Sequence, residues 1–373
     1  MIYIIVFLAS SFLLYLSEKR YNTYISRLLI ILGVLLPAVL AGLRASSVGT
    51  DVEVYGMYAY NQAVNSASFG NYFLNSPSSE VGFYLVTYLF AKLFEDYHWG
   101  LFIYSLLTQV FIYMGFSKYR RYMNTCVWFG MLLYYFTLYN YTLNLMRQSI
   151  AFAIVFYASS FLLERKYKTF CAFIALSILF HTSAIVGIAL LPMYLLLRQE
   201  RYISQKKQIF QGLIFVIVLI LIVVSMNQII QRLVSIGLIR ETYLLYLSGG
   251  KYSVENGSIS LFLILPDLCF IALTIFNYGR LERRKLHPLL FVMISGIVVL
   301  SDFIPLFARY MERIGYYFIP LQLVNVDNMS FCISKRSRTI WYILVLVMVS
   351  VIWYRKFIVL GYAETYPYRF SWN

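Results

Sequence analysis

Arg147 and His181 are the residues of this 373-residue chain whose types and settings point most directly to chemistry. Arg147 follows the aromatic, polar stretch FTLYNYTLNLM and opens the apolar run RQSIAFAIVFYASSFLL. A guanidinium at a helix N-terminus opposes the helix dipole, which favours an acid there. An anion shared between the helix end and the guanidinium would resolve that conflict; snorkelling of the side chain to an interface is the alternative. His181 is the one histidine inside an apolar run, FIALSILFHTSAIVGIALL, whereas His98 sits between Tyr97 and Trp99 and His287 closes a basic loop. Near neutral pH an imidazole can take a proton from a hydroxyl nucleophile. The alternative is a hydrogen-bonded histidine closing a helix end.

Arg309 and Arg313, in FARYMERIGYYF, are four apart and would share one helical face. Two guanidinium forks on one face suit a diphosphate, although Glu312 could instead neutralise one of them. Asp51 and Glu53 read equally as first-turn acids and as polar site groups. Asp51 and Glu80 are the acids that would accept a proton if His181 does not. Asp267 and Asp327 lie within apolar runs and raise the question of ion coupling, but Asp267 follows Pro266 at a kink and reads as structural. There is no Walker loop, GxGxxG, HExxH, GxSxG or Asp-x-Asp pair, which removes support for nucleotide hydrolysis and for cation-dependent sugar-nucleotide chemistry. Cys126, Cys171, Cys269 and Cys332 are widely spaced, show no metal spacing and read as packing residues.

These residues must be positioned by a membrane protein. Hydrophobic residues are 61% of the chain and charged residues 13%, with a mean hydropathy of +0.72, far from the balance of a soluble domain. Six basic clusters separate the apolar runs: Lys19/Arg20/Arg27, Lys118/Arg120/Arg121, Arg165/Lys166/Lys168, Arg198/Arg201/Lys206/Lys207, Arg280/Arg283/Arg284/Lys285 and Lys335/Arg336/Arg338. They hold 20 of the 31 basic residues and mark cytoplasmic loops by the positive-inside rule. The net charge of +15 is therefore a signature of topology rather than of nucleic-acid binding. Of the remaining eleven, eight are arginines, including Arg44, Arg147, Arg309 and Arg313, and most fall at run ends facing the opposite side. Orientation does not require positive charge there, and arginine's planar fork suits phosphate and carboxylate better than lysine does. An anionic substrate on the outer face is the reading.

The expected architecture is a single all-α polytopic membrane domain spanning 1–373, with about 12–13 transmembrane or re-entrant helices. Apolar runs fall near 2–17, 25–43, 81–94, 99–116, 125–141, 147–163, 169–197, 208–226, 258–278, 287–304, 314–332 and 339–355. All read as helices, because an open strand edge is not tolerated in lipid. The N-terminal run reads as a first span with its N-terminus outside, since its charges follow it. The 29-residue run 169–197 is interrupted by His181-Thr182-Ser183 and splits into two short helices there. The run 81–94 contains Lys92 and would break the alternation of sides, so it reads as re-entrant or interfacial. Two polar stretches, 44–80 and 227–257, fall outside, and Thr50-x-x-Glu53 is a capping-box pattern that starts a surface helix at Asp51 running through Tyr55 and Tyr58.

In order along the chain, LAGLRASSVGTDVEVY, SSEVGFYLV, LNLMRQSIAFAI, LFHTSAIVGI, ARYMERIGYYF and the tail YPYRF together resemble the EpsG/Wzy-type family of bacterial polysaccharide polymerases. The resemblance implies a GT-C-like, Wzy-like membrane fold with short outer-face surface helices, in the bacterial plasma (inner) membrane. It implies an inverting glycosyl transfer that needs no metal and no cofactor. The donor would be a glycan on undecaprenyl pyrophosphate, and the acceptor a lipid-linked repeat unit on the periplasmic or extracellular side. A chain-length regulator and a flippase of the same pathway would be partners, beside the lipid bilayer. By the same resemblance the pyrophosphate would fall to Arg147, Arg309, Arg313 and Arg44, with His181 as base. An O-antigen ligase that uses lipid A core as acceptor is the nearest alternative; its larger outer loop is not matched by 227–257. A lipid-linked oligosaccharide flippase would explain Asp267 and Asp327 but not the outer-face arginines, and internal pseudo-symmetry is not visible. A membrane O-acyltransferase could also use a lone histidine.

Overall fold

The structure is a computed structural model. It describes residues 1–19, 22–77, 80–123, 125–197, 225–236, 261–284, 286–303 and 311–372, with isolated positions 210, 214, 217, 218, 221 and 244. Among these residues the chain is helical without a β-sheet, an all-α polytopic membrane protein. Helices Thr23–Gly42, His98–Tyr122, Met146–Leu163 and Lys335–Val359 are long and apolar enough to cross a membrane. The described residues group into two compact units, Met1–Ile188 with Ile333–Asn373, and Ala189–Cys332.

The first unit is built on α1 (Ile2–Glu18), α2 (Thr23–Gly42), α3 (Tyr58–Asn65), α4 (Phe69–Leu74), α5 (Val81–Leu93) and α6 (His98–Tyr122). It continues with α7 (Val127–Tyr134), α8 (Asn140–Asn144), α9 (Met146–Leu163) and α10 (Tyr167–Ile178). α9 is its centre. Fifteen of its residues are buried, and its sequence is apolar on every side, the pattern of a helix with no solvent face. Lipid gives no hydrophobic incentive for one helix to prefer another, so close backbone approach must supply the packing. Glycines opposite rings do this here. The Phe156 ring of α9 lies where a Cβ on Gly115 of α6 would come within 2.5 Å, and Phe116 lies 2.6 Å from the corresponding position on Gly130 of α7. Phe156 is then stacked on Tyr119 at 5.5 Å between centroids, whose hydroxyl hydrogen-bonds Ser159 at 2.9 Å.

Two acids organise the end of this unit that carries the basic clusters. Glu18 accepts from the Trp128 backbone N–H at 3.0 Å and pairs with Arg120 at 3.3 Å, tying α1 to the start of α7 and the end of α6. Glu164, just beyond α9, accepts from Tyr122 at 2.7 Å and pairs with Lys118 at 3.2 Å and Lys166 at 2.9 Å. The opposite ends of α6 and α9 hold α5 between them. Its first residues lie beside the start of α9, and its last turn meets α3 and the start of α6, where the Phe94 carbonyl accepts from Tyr60 at 3.1 Å. Both ends of α5 thus sit at the same end of the bundle, which fits the re-entrant or interfacial reading of 81–94. The split of 169–197 is also present: α10 stops at Ile178, and a 3-10 helix, Thr182–Ala189, begins after His181.

The surface helix expected from Asp51 is present as a π-helical turn, Val52–Met57, continuing into α3. The capping box is used differently. Glu53 accepts from Ser46 at 3.0 Å, and the Asp51 backbone N–H is taken by the Asn144 side chain at 2.8 Å. Loop 43–51 is strapped by the chain's last residues. Ala45 N–H donates to the Arg369 carbonyl at 2.9 Å, Ser371 N–H to the Leu43 carbonyl at 3.0 Å, and Gly49 N–H to the Glu364 carbonyl at 3.0 Å. Thr365 is held from below by Tyr3 and Asn140 at 2.7 and 2.8 Å. The helix Lys335–Trp353, α17 below, brings the strap back to the bundle.

The second unit contains α11 (Leu190–Leu197), α12 (Met226–Ser235), α13 (Leu261–Phe276), α14 (Tyr278–Arg283), α15 (Pro288–Phe303) and α16 (Ile319–Ser330), followed in the chain by α17 of the first unit. Every residue from Pro320 to Ser330 is buried, including Gln322, Asn325, Asp327 and Asn328. Gln322 donates to Asp267 at 2.9 Å and Asn325 to Thr274 at 2.8 Å, so the acid beside Pro266 joins α13 to α16 as a structural group. Most of 227–257, with Arg240 and Lys251, and Arg309 lie outside the described residues.

The Glu164 junction predicts an acid-sensitive contact. Burial pushes its carboxyl up, but hydrogen bonds from Lys166, Tyr122 and Lys118 outweigh this and hold it at about 2. A depressed carboxylate stabilises the fold above its unfolded pKa and stops doing so as pH falls through its folded one. Detergent-solubilised protein should lose about 1 kcal/mol of stability from this site between pH ~4.5 and pH ~2. Thermal melts of Glu164→Gln should show that increment missing at neutral pH and a correspondingly flatter acid limb. An unchanged acid limb would contradict the assignment.

Candidate active site

The end of the first unit opposite Glu18 and Glu164 gathers three ionisable side chains from three helix ends. α9 begins there because Leu145 (φ −86°, ψ 52°) leaves the helical region after α8, and the new helix starts at Met146 with no side-chain cap. The first N–H groups of such a helix have no partner within it. Arg147 is therefore in the first turn of a buried helix, with the helix's positive end behind it.

Glu80 stands just before α5, 4% exposed. Its Oε2 accepts from Arg147 Nη1 at 2.5 Å, a charge-assisted contact at the short end of the range. Its Oε1 lies 3.9 Å from His181 Nε2, beyond hydrogen-bond length. The Arg147 guanidinium also lies 5.2 Å from the centre of the Tyr55 ring and 5.7 Å from that of Phe83, within the range of cation–π attraction. Tyr55, on the π-helical turn, is 46% exposed and forms the open side of the site. Asp51 is half-buried, and its charge acts on Arg147.

The tautomer of His181 follows from its neighbours. The Ser183 backbone N–H donates to Nδ1 at 3.3 Å, and the Ser183 hydroxyl lies 2.6 Å from the same nitrogen. An amide N–H can only donate, so Nδ1 accepts and the neutral ring carries its proton on Nε2, the nitrogen nearer Glu80.

One backbone hydrogen bond sets the register of the acid against the histidine. Gly82 N–H donates to the Leu179 carbonyl at 2.8 Å. Glu80 is two residues before this bond on one strand of the contact, and His181 two residues after it on the other. A Cβ on Gly82 would fall 3.1 Å from the Leu179 Cβ and carbonyl oxygen, so the two segments meet backbone to backbone.

Of the expected site residues, Arg147, Glu80, His181 and Asp51 are thus brought together. Arg44 is in the same unit but 1% exposed. Its Nη2 donates to the Leu143 carbonyl at 2.7 Å, and Tyr97, Tyr139, Tyr3 and Tyr368 lie within electrostatic reach of it. In this arrangement it supports the chain just before the Leu145 break. Arg313 lies on a 3-10 helix, Met311–Tyr317, of the second unit and is half-buried. Tyr55, Phe83, Ser183 and Gly82 were not singled out as site groups by sequence reasoning. The glycine after Glu-Val, at the start of a helix too short to span, is the trace that the close approach leaves in the sequence.

The site offers a guanidinium and a helix N-terminus for an anion, an adjacent carboxylate and imidazole for a proton, and an exposed ring beside them. Its geometry makes Gly82 a positioning residue. Alanine normally stabilises a helix relative to glycine by up to about 1 kcal/mol. Gly82→Ala should instead destabilise by about 1–3 kcal/mol, the cost of overpacking against backbone, read as a lowered thermal midpoint in detergent. A raised midpoint would show that the contact at Leu179 is loose.

No curated protein and no solved structure matches the chain. The profile of the EpsG family matches residues 27–370, a span that takes in Arg147, Glu80, His181, Asp51 and Arg44, with Glu364 and Arg369 of the strap that holds loop 43–51. The chain belongs to the EpsG family.

Proposed function

We propose that this protein is a polysaccharide polymerase that transfers a glycan from undecaprenyl pyrophosphate to the hydroxyl of a lipid-linked repeat unit, with inversion at the anomeric carbon. The observation that carries the reading is the single carboxylate, Glu80, shared between Arg147 and His181 at a helix N-terminus. Membership of the EpsG family supports a polymerase role. The site's location supports the side on which it works: the basic clusters at Lys118, Arg120 and Lys166 lie at the other end of the unit and would be cytoplasmic by the positive-inside rule. The site would then face the periplasmic or extracellular side of the plasma membrane.

The chemistry asks for little. A pyrophosphate departs as an anion, so the leaving group needs charge stabilisation rather than a protonating acid. A fixed guanidinium at a partly dry helix end provides it without reorganising. The acceptor hydroxyl needs alignment and removal of one proton, which the Glu80–His181 pair supplies. The bond to the pyrophosphate is itself the energy source, so no nucleotide is consumed and no metal is required. Arg309 and Arg313 would add to pyrophosphate capture.

Deletion of the protein in its host should abolish long surface glycan while single repeat units persist. Loss of every glycan-capped acceptor, single units included, would point to a ligase. Complementation with Arg147→Ala and Arg147→Lys should both leave polymer reduced by at least about two orders of magnitude, the scale of losing one charge-stabilising group, with the protein still inserted. The lysine variant tests the fork: it keeps the charge and loses the planar pair of donors. Full-length polymer from Arg147→Lys would show that charge alone suffices.

A further inference from the structure

Arg147 already holds an anion. Its partner is Glu80 Oε2 at 2.5 Å, in the position that a phosphate oxygen would take at a guanidinium on a helix N-terminus. The same carboxylate has a second position within reach. Its Oε1 is 3.9 Å from His181 Nε2, the nitrogen that carries the proton, so a displacement of about 1 Å makes a hydrogen bond there. Glu80 is itself almost enclosed, its side chain 6% exposed, while Arg147 and His181 are each 24% exposed. An incoming anion therefore meets the guanidinium at the surface of the site with the carboxylate beneath it.

We propose that Glu80 is an exchangeable occupant of the Arg147 anion seat. The donor's pyrophosphate displaces it towards His181, where it becomes the group that takes the acceptor's proton. The inference rests on the polymerase reading above and specifies its order of events. With the seat empty of substrate, Glu80 is paired with Arg147 and its Oε2 is taken up by the guanidinium. With pyrophosphate on Arg147, Glu80 is released from the guanidinium and held by the His181 Nε2–H. The acceptor oxygen then attacks the anomeric carbon with its electron pair. The bond from that carbon to the pyrophosphate oxygen breaks, and its electrons stay on the pyrophosphate beside Arg147. The hydroxyl proton passes to Glu80. A new glycosidic bond forms, a pyrophosphate anion leaves, and a neutral Glu80 remains until it loses its proton to water. The device couples deprotonation to donor binding: the base is available only when a donor is in place. His181 is in this scheme a positioning residue, with its ring fixed by Ser183.

The test is a split between binding and turnover in purified full-length protein. Undecaprenyl pyrophosphate and inorganic pyrophosphate serve as binding probes, and lipid-linked repeat units as substrate. Glu80→Gln removes the competing charge and keeps the shape. It should bind both probes at least about tenfold more tightly than the native protein and turn over about two to four orders of magnitude more slowly. The gain in binding should vanish on an Arg147→Ala background, because there is no longer a seat to vacate. His181→Gln, which retains an N–H donor, should be at least about tenfold more active than His181→Ala. Equal or weaker probe binding by Glu80→Gln overturns the exchange, as does a gain that survives without Arg147. Equal activity of the two His181 variants overturns the assignment of the proton to Glu80. If Glu80→Gln is thermally weakened by its uncompensated arginine, inorganic pyrophosphate should restore its midpoint; no restoration also overturns the exchange. A native protein that binds neither probe refutes the pyrophosphate-donor reading itself, whereas a native protein that binds both and gains nothing from Glu80→Gln refutes only the exchange.

Discussion

The contact between Arg147 and Glu80 is the constraint around which the first unit is arranged. Bringing two charges into a helix bundle costs several kcal/mol per ion before their attraction repays it. Packed apolar side chains of the same volume would commonly hold the helices at least as well. A pair retained under those conditions is a weak source of stability. It is better understood as a charge held ready at a fixed place. α9 supplies the place: it is buried along its length, begins abruptly at Met146, and presents its uncapped end and a guanidinium to one spot. α5 supplies the acid from the other side, and its short reach is what keeps Glu80 at that level rather than across the bundle.

Everything that touches this pair is in turn pinned by backbone. The Gly82–Leu179 hydrogen bond sets the acid against the histidine. Asn144, just before the helix break, caps Asp51 and so fixes the π-helical turn that brings Tyr55 over Arg147. The last residues of the chain close the arrangement by pairing with loop 43–51. Arg44, at that pairing, is itself held by Leu143. Its Nε–H has no hydrogen-bond partner among the described residues.

Much of this is legible in the sequence. The position of Arg147 at a helix start, the break at His181 and the anomaly of 81–94 all follow from where polar residues interrupt apolar runs, because an interruption in lipid must have a backbone reason. What was not legible is who pairs with whom. Glu80 and Arg147 are 67 residues apart, and nothing in SSEVGFYLV says that its glutamate faces an arginine rather than water. The fate of Arg44 was hidden for a similar reason: an arginine at a span end reads the same whether it meets a ligand or a carbonyl. The π-helical turns at Val52–Met57 and Tyr135–Tyr139 add one residue per turn locally and leave no periodic signal over so few residues. The capping box failed because its glutamate had a better partner in Ser46.

The two units solve the same packing problem differently, and the difference bears on where chemistry can reside. In the first, rings seat on glycines at Gly115 and Gly130, beside interior hydrogen bonds such as Gln109 to Tyr134 and Tyr119 with Ser159. Its ionisable groups Arg147, Glu80 and His181 meet at one end of the unit. In the second, α16 buries Gln322, Asn325, Asp327 and Asn328 together, and the amides of Gln322 and Asn325 reach across to Asp267 and Thr274. Such interhelical hydrogen bonds specify which helices pair, at the modest energies polar contacts have in membranes. Those groups are consumed by the fold. An acid already held by an amide inside a bundle is poorly placed to change partners, whereas Glu80 stands between Arg147 and His181, its Oε1 3.9 Å from His181 Nε2. Intramembrane charge by itself therefore does not locate function; an acid set between two groups that could each hold it does.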